Sequence, residues 1–329
     1  MTNTLLRQIA LVSESRQTAP GDLARVGAAL PKQAARDLAR LWNVAGTVDV
    51  FPTLDDVPVG YWPIIIQDDI HQKNAGGFHT DHNGEPFSLV LASPDVNVWS
   101  LRASHEMIEM LVDPSGNRMV AGDSPKPDQT RVQFLVEPCD PSEHARFAYT
   151  VNGVLVSDFY GTHFFDPTVA PGVRYSFTGA VQAPRSIREG GYLSWLDVAS
   201  GEWWQIIWLA GAQATFRNLG KLTAGEESLR GQIDRLTSED TARVTAGGLH
   251  DATAAGVPEH ETRKAGVSRA AALRQRIACL QGNHSQARDV ENAKADLRAS
   301  TRTQPHDKRQ GKHDDGIRHA PCVFEDAND

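Results

Sequence analysis

The residues whose types and spacing suit metal chemistry lie in one run, Ser104-His105-Glu106-Met107-Ile108-Glu109-Met110-Leu111-Val112-Asp113-Pro114. Residues four apart on a helix share a face, so His105 and Glu109 would project together. A single divalent ion can bridge such a pair, as the two histidines of H-E-x-x-H do. Imidazole and carboxylate are both ordinary zinc ligands, at about 2.0–2.2 Å. Glu106 is turned by about 100° from His105 yet still reaches a water on such an ion, which is the position of a general base. Met107, Ile108, Met110 and Leu111 give the opposite face enough apolar surface to pack. The bland alternative for the same triplet is a solvated helix face. Asp113 lies eight residues beyond His105, about 12 Å along a straight helix. It is therefore expected to end the helix or orient a ligand from behind, not to share the ion.

Two further groups stand near this run in sequence. Glu137-Pro138-Cys139-Asp140 closes an apolar strand, and either carboxylate there is better placed than Asp113 to complete a ligand set. Cys139 between them reads as a small buried residue in preference to a thiolate ligand. The stretch Gly76-Gly77-Phe78-His79-Thr80-Asp81-His82-Asn83-Gly84 combines glycines with two histidines three apart. His79 or His82 would stabilise a developing oxyanion or touch substrate, the alternative being a polar turn with solvated histidines. His71, His144 and His163 carry no spacing argument. Tyr192 to Trp208 holds four tryptophans at strand-like spacing, the pattern of sheet packing before that of a ligand platform.

These residues need positioning elements. Leu5 to Val12 is apolar enough for a buried strand. Pro20-Gly21-Asp22 opens an amphipathic helix through Trp42, which Gly46 is expected to end. Thr47–Phe51, Trp62–Gln67 and Phe87–Ala92 read as strands, the second apolar on both faces and so central. Ser100 to Val112 is a second helix, stopped at Asp113-Pro114. The texture then changes to hairpins: Arg131–Glu137 alternates, and Phe147–Val151 with Val154–Phe159 flank Asn152-Gly153, a strong turn signal.

Composition sets the limits. Of 23 aromatic residues, 22 precede Gly220. Residues 220–329 carry 17 basic and 17 acidic side chains, so the net charge of −8 belongs to the first two-thirds. An acidic domain does not suit a nucleic-acid backbone, and a tail with one aromatic does not suit base stacking. No apolar run approaches the roughly 20 residues of a membrane span. The opening MTNTLLRQIALVSES has no basic leader and reads as a strand, so the expected location is the cytoplasm. Three cysteines are too few for a disulfide framework or a four-thiolate zinc site. The expected organisation is an α+β domain over 1–219 and a charged, low-complexity tail over 220–329. That tail is mostly disordered, with possible short helices at Glu226–Leu236 and Ser268–Leu280, and with solvated histidines (His306, His313, His319).

The runs Ser104–Pro114, Leu135-Val136-Glu137-Pro138-Cys139-Asp140-Pro141 and Val156-Ser157-Asp158-Phe159-Tyr160 together resemble zincin-type proteins that carry H-E-x-x-E. These are mainly uncharacterised bacterial metallopeptidase-like proteins and, more distantly, the plant phosphate-induced, EXORDIUM-like proteins. The resemblance covers roughly residues 1–210. It implies a zincin-like fold, a mixed sheet with the metal helix packed on it, followed by a hairpin-rich half. It also implies one zinc per chain and a metallopeptidase-like hydrolase acting on a peptide or other amide. His105 and Glu109 would hold the ion with Glu137 or Asp140. Glu137 is favoured by analogy with zincins whose third ligand is a downstream Glu. Glu106 would be the base, and His79 would lie along the substrate edge. Where well-studied zincins have a second histidine this chain has Glu109, which adds negative charge and makes the ion less electrophilic. Manganese or iron would suit the same donors. The competing expectation is a non-catalytic module in which the ion only staples helix to strand.

Overall fold

The computed structural model describes residues 5–72, 74–223 and 227–245, with the backbone alone at Leu5 and at 238–245. Its first sheet is mixed and five-stranded. It is built from β1 (Leu5–Ser13), β2 (Val44–Phe51), β3 (Trp62–Gln67), β4 (Gly77–His82) and β5 (Glu85–Leu91), in the order β2-β1-β3-β5-β4. The first four strands in that order run parallel, and β4 pairs antiparallel to β5 at the edge. β3 is central, as its two-faced apolar character requires.

Helix α1 (Pro20–Lys32) continues through a π-helical turn, Gln33–Leu38, into α2 (Ala39–Trp42). The helix ends at Asn43, in the left-handed region with φ of 54°, and not at the expected Gly46. Asn tolerates that conformation nearly as well as glycine does, which frees Gly46 to lie inside β2 against Leu111. Pro31 lacks the N–H that an α-turn would use, and the wider turn follows directly after it.

Helix α3 (Val96–Val112) carries the His-Glu motif. It starts earlier than expected because Asp95 caps it, accepting from the Asn97 backbone N–H. Gly46 and Val50 share a face of β2; Leu111 of α3 lies over Gly46, and Gly27 of α1 lies over Val50 beside Leu11. Both helices therefore lie on one side of the sheet. A small hairpin, β8 (Tyr149–Val151) and β9 (Val154–Val156), packs against α3 through β9. Its turn is Asn152-Gly153, with φ of 52° and 74°, as expected of that dipeptide. All of α3 except Val96, Asn97 and Arg102 is buried, so the motif is not a solvated face.

The second sheet is wholly antiparallel. It comprises β6 (Met119–Asp123), β7 (Arg131–Leu135), β10 (Tyr192–Asp197), β11 (Glu202–Ile207) and β12 (Thr215–Gly220), in the order β12-β11-β10-β7-β6. Trp195 and Trp203 are buried in it as packing residues. The fold does not stop at residue 219. Helix α4 (Leu229–Thr245) returns to the domain and buries Ile233 with Leu135 and Trp203. The remainder of the expected tail, including the helix at Ser268–Leu280 and the three tail histidines, lies outside the described residues. No helix among the described residues is long and apolar enough to cross a membrane.

Candidate metal centre

One helix, one edge strand and one loop bring six ionisable side chains into the interior. His105, Glu106 and Glu109 come from α3, and His79 from the edge strand β4. Glu137 and Asp140 come from the segment after β7. All six are buried, and the most accessible, His105, is 8% exposed.

The sharpest arrangement surrounds Nε2 of His105. It lies 3.2 Å from Oε2 of Glu109 and 3.3 Å from Oδ1 of Asp140. Both oxygens are buried without a hydrogen-bond donor. Each carboxylate is anchored through its other oxygen. Oε1 of Glu109 accepts the Cys139 backbone N–H at 3.1 Å, and Oδ2 of Asp140 accepts from the Arg230 guanidinium. A carboxylate held by one oxygen with the second left open is the usual preparation of a metal ligand. For a tetrahedral ion with bonds near 2.1 Å, ligand atoms stand about 3.4 Å apart, close to these separations. The structure thus places Asp140, and not the favoured Glu137, against His105 and Glu109. Pro138 and the turn that begins at Asp140 carry the chain past the helix, so the later carboxylate faces it.

His79 occupies the other side of Glu109. Its Nε2 lies 3.0 Å from the Asp113 backbone carbonyl and donates to it, so in the neutral ring Nδ1 is the lone-pair atom. Nδ1 faces Oε2 of Glu106 at 3.6 Å and Oε2 of Glu109 at 3.8 Å, both beyond hydrogen-bonding distance. With its ring 2% exposed, His79 faces carboxylates and not solvent, which corrects its expected contact with substrate. Glu137 stands behind it, Oε2 at 3.9 Å from Nε2, and neither Glu137 oxygen has a hydrogen-bond partner. His82 is exposed at the end of β4. Asp113 serves as expected of an orienting residue. Its carboxylate accepts the Asn117 and Arg118 backbone N–H groups, and its carbonyl fixes the His79 tautomer.

The electrostatics follow from crowding acids in a dry space. Burial lowers the His105 imidazole, but Glu109 and Asp140 outweigh it and raise its pKa well above the ordinary value. Burial likewise pulls His79 down while Glu106 and Glu109 raise it further. Glu109 is buried too, yet His105 holds it below the usual carboxylate range. Burial and the neighbouring Glu109 push Glu137 well up, and burial pushes Glu143 up to about 8. The fixed cation here is Arg230, which also donates to the Tyr192 hydroxyl and to Asp234.

Arg230 is the functional residue that sequence reasoning missed. Its signal was the apolar pair Leu229 and Ile233, four apart, which marks a packed helix face inside a charged stretch. Cys139 behaves as the small buried residue expected, its thiol directed at the His105 carbonyl oxygen at 3.7 Å. Comparison of the chain with family models, curated proteins and solved structures finds no match.

Proposed function

We propose that this domain is a zinc-dependent hydrolase that holds its ion with His105, Glu109 and Asp140 and uses Glu106 as the proton acceptor. The observation that carries this reading is the pair of buried, unpartnered carboxylate oxygens within 3.3 Å of the His105 Nε2. Several buried acids facing one another are costly without a cation, and of the acids gathered here Arg230 hydrogen-bonds Asp140 but neither Glu109 nor Glu137. Three protein ligands leave a fourth position open, the arrangement of catalytic zinc sites. When bound, the ion would polarise a scissile carbonyl and lower the pKa of an attacking water towards ~7. Glu106 would take the proton of that water and return it to the leaving amine. His105 and Glu106 carry the largest exposures of the six side chains, so a substrate would approach from their side. The mixed sheet with an antiparallel edge strand beside α3 supports the zincin-like reading of the fold, and a peptide or other amide is the corresponding substrate class.

A second reading is favoured by burial. Glu109, Glu137 and Asp140 are each at most 4% exposed, which suits an ion that only staples α3 to the segment after β7. Metal content of the full chain separates both readings from a protein without metal. The parent is expected to retain zinc, and His105→Ala to lose the ion held by that side chain. Glu106→Gln is expected to keep the ion at His105 but lose hydrolysis of a peptide library. A fully active Glu106→Gln protein removes Glu106 from the chemistry. A folded parent that takes up no zinc removes the metal altogether and leaves His105 as an imidazolium between two carboxylates.

A further inference from the structure

The geometry points to a second cation position beside the first, formed by Nδ1 of His79, Oε2 of Glu106 and Oε2 of Glu109, with Glu109 shared between the two ions. This inference rests on the proposed function, because the shared carboxylate is the one that holds the first ion.

Three independent features carry it. First, the Asp113 carbonyl accepts the Nε2–H of His79, so in the neutral ring the lone pair of Nδ1 points at two carboxylates and not at a donor. Nδ1 is buried and has no hydrogen-bond partner. A lone pair facing two anions is repulsive unless a proton or a cation lies between them. The separations of 3.6 and 3.8 Å are too long for a direct N–H···O bond and close to the ligand spacing around a divalent ion. Second, the two triads, His105 with Glu109 and Asp140 and His79 with Glu106 and Glu109, each have their donor atoms within 4.8 Å of one another, and they have only Glu109 in common. Two-metal hydrolase sites hold their ions about 3.5–4 Å apart, a spacing that a single carboxylate oxygen such as Oε2 of Glu109 can bridge. Third, both oxygens of Glu137 lie buried behind His79 without hydrogen-bond partners, so a further acid lines the position with no donor of its own.

Occupancy of this position takes Glu106 out of proton transfer and makes it a ligand. The chain therefore has a one-ion state in which Glu106 is free to act as a base and a two-ion state in which it is not. A nitrogen and two carboxylates accept zinc or manganese, so the ligand class is a borderline divalent cation.

The test is equilibrium dialysis of the metal-free full chain against zinc and, separately, manganese, with bound metal measured by elemental mass spectrometry. The parent is expected to bind two equivalents. His79→Ala and Glu106→Gln are each expected to bind one, while His105→Ala is expected to lose the other. Far-ultraviolet circular dichroism confirms the fold of each variant, and the two substitutions in the second triad check one another if one misfolds. One equivalent in the parent overturns the second position; where His105→Ala loses that ion the proposed function stands, and where His105→Ala keeps it the proposed function falls as well. Two equivalents in the parent and in both second-triad variants also overturns it. No metal in the parent overturns both.

Discussion

The two regions that build the centre differ in kind. The mixed sheet with α3 supplies His79, His105, Glu106 and Glu109 from regular elements, so strand register and helical pitch set their relative positions. The antiparallel half supplies Glu137 and Asp140 from a loop and Arg230 from a helix ninety residues further on. The first half therefore supplies ligand atoms at spacings that regular structure sets, and the second adds Asp140 and the charge balance. The hydrogen bonds between the halves show the division. Ser104 Oγ of α3 accepts the Ser157 N–H at 2.6 Å, Gln33 donates to the Ser157 carbonyl, and Glu109 Oε1 accepts the Cys139 N–H, while Arg230 binds Asp140 within the second half.

The largest effect should come from breaking the charge balance. Arg230→Ala leaves Asp140 buried without its cation, and breaking a buried pair in this way costs about 3–5 kcal/mol. Chemical denaturation of the full chain measures it. An unchanged midpoint would mean that the antiparallel half does not stabilise the centre. Next is Ser104→Ala, which strands the buried Ser157 N–H and should cost about 1–3 kcal/mol. Conservative replacement by Thr should recover part of that loss, since it restores the hydroxyl.

The pH dependence sharpens the comparison further. His79 and His105 are both raised in the fold, so their stabilisation is present below the ordinary imidazole value near ~6.5 and is lost as pH rises above it. Glu137 and Glu143 are raised as well, which favours their neutral forms in the fold. The unfolded chain ionises them first, so they too lose stability as pH rises from about 4.5, Glu143 up to about 8. Glu109 is lowered and has the opposite sign, but its effect falls below that window. The metal-free chain should therefore lose about 1 kcal/mol or more between pH 5 and 8, roughly 2–4 °C of melting temperature per kcal/mol. Zinc requires deprotonated ligands, so the increment it adds should grow over the same range. Parallel melting curves with and without zinc would break the link between these side chains and the ion. The smallest effect is expected at Gly77. A Cβ there would lie 2.8 Å from Oε1 and 2.9 Å from Cγ of Glu106. Gly77→Ala should push Glu106 off its rotamer for about 0.5–1.5 kcal/mol, and it should weaken the second cation position more than the first.

What the sequence made legible follows the same division. His105 and Glu109 were readable because four residues on a helix leave one geometry to consider. The central strand β3 was readable from its apolar run and the β8–β9 turn from Asn152-Gly153. Asp140 could not be separated from Glu137, because backbone turns after β7 decide which carboxylate faces α3, and three residues of loop allow either. β4 escaped detection as a strand for a related reason. Its inward positions are Gly77 and His79, so the alternation of apolar and polar residues that marks a half-buried strand is missing. The helix that carries Arg230 was hidden by the charged composition around it.

Arg230 also ties the centre to the order in which the chain is made. A ribosome that has released residues 1–219 has delivered every proposed ligand, yet Asp140 still lacks its guanidinium and the acids face one another unbalanced. On the proposed function, tight loading of the ion would be a late event in the birth of this protein, timed by the emergence of α4 and not by that of the ligands themselves.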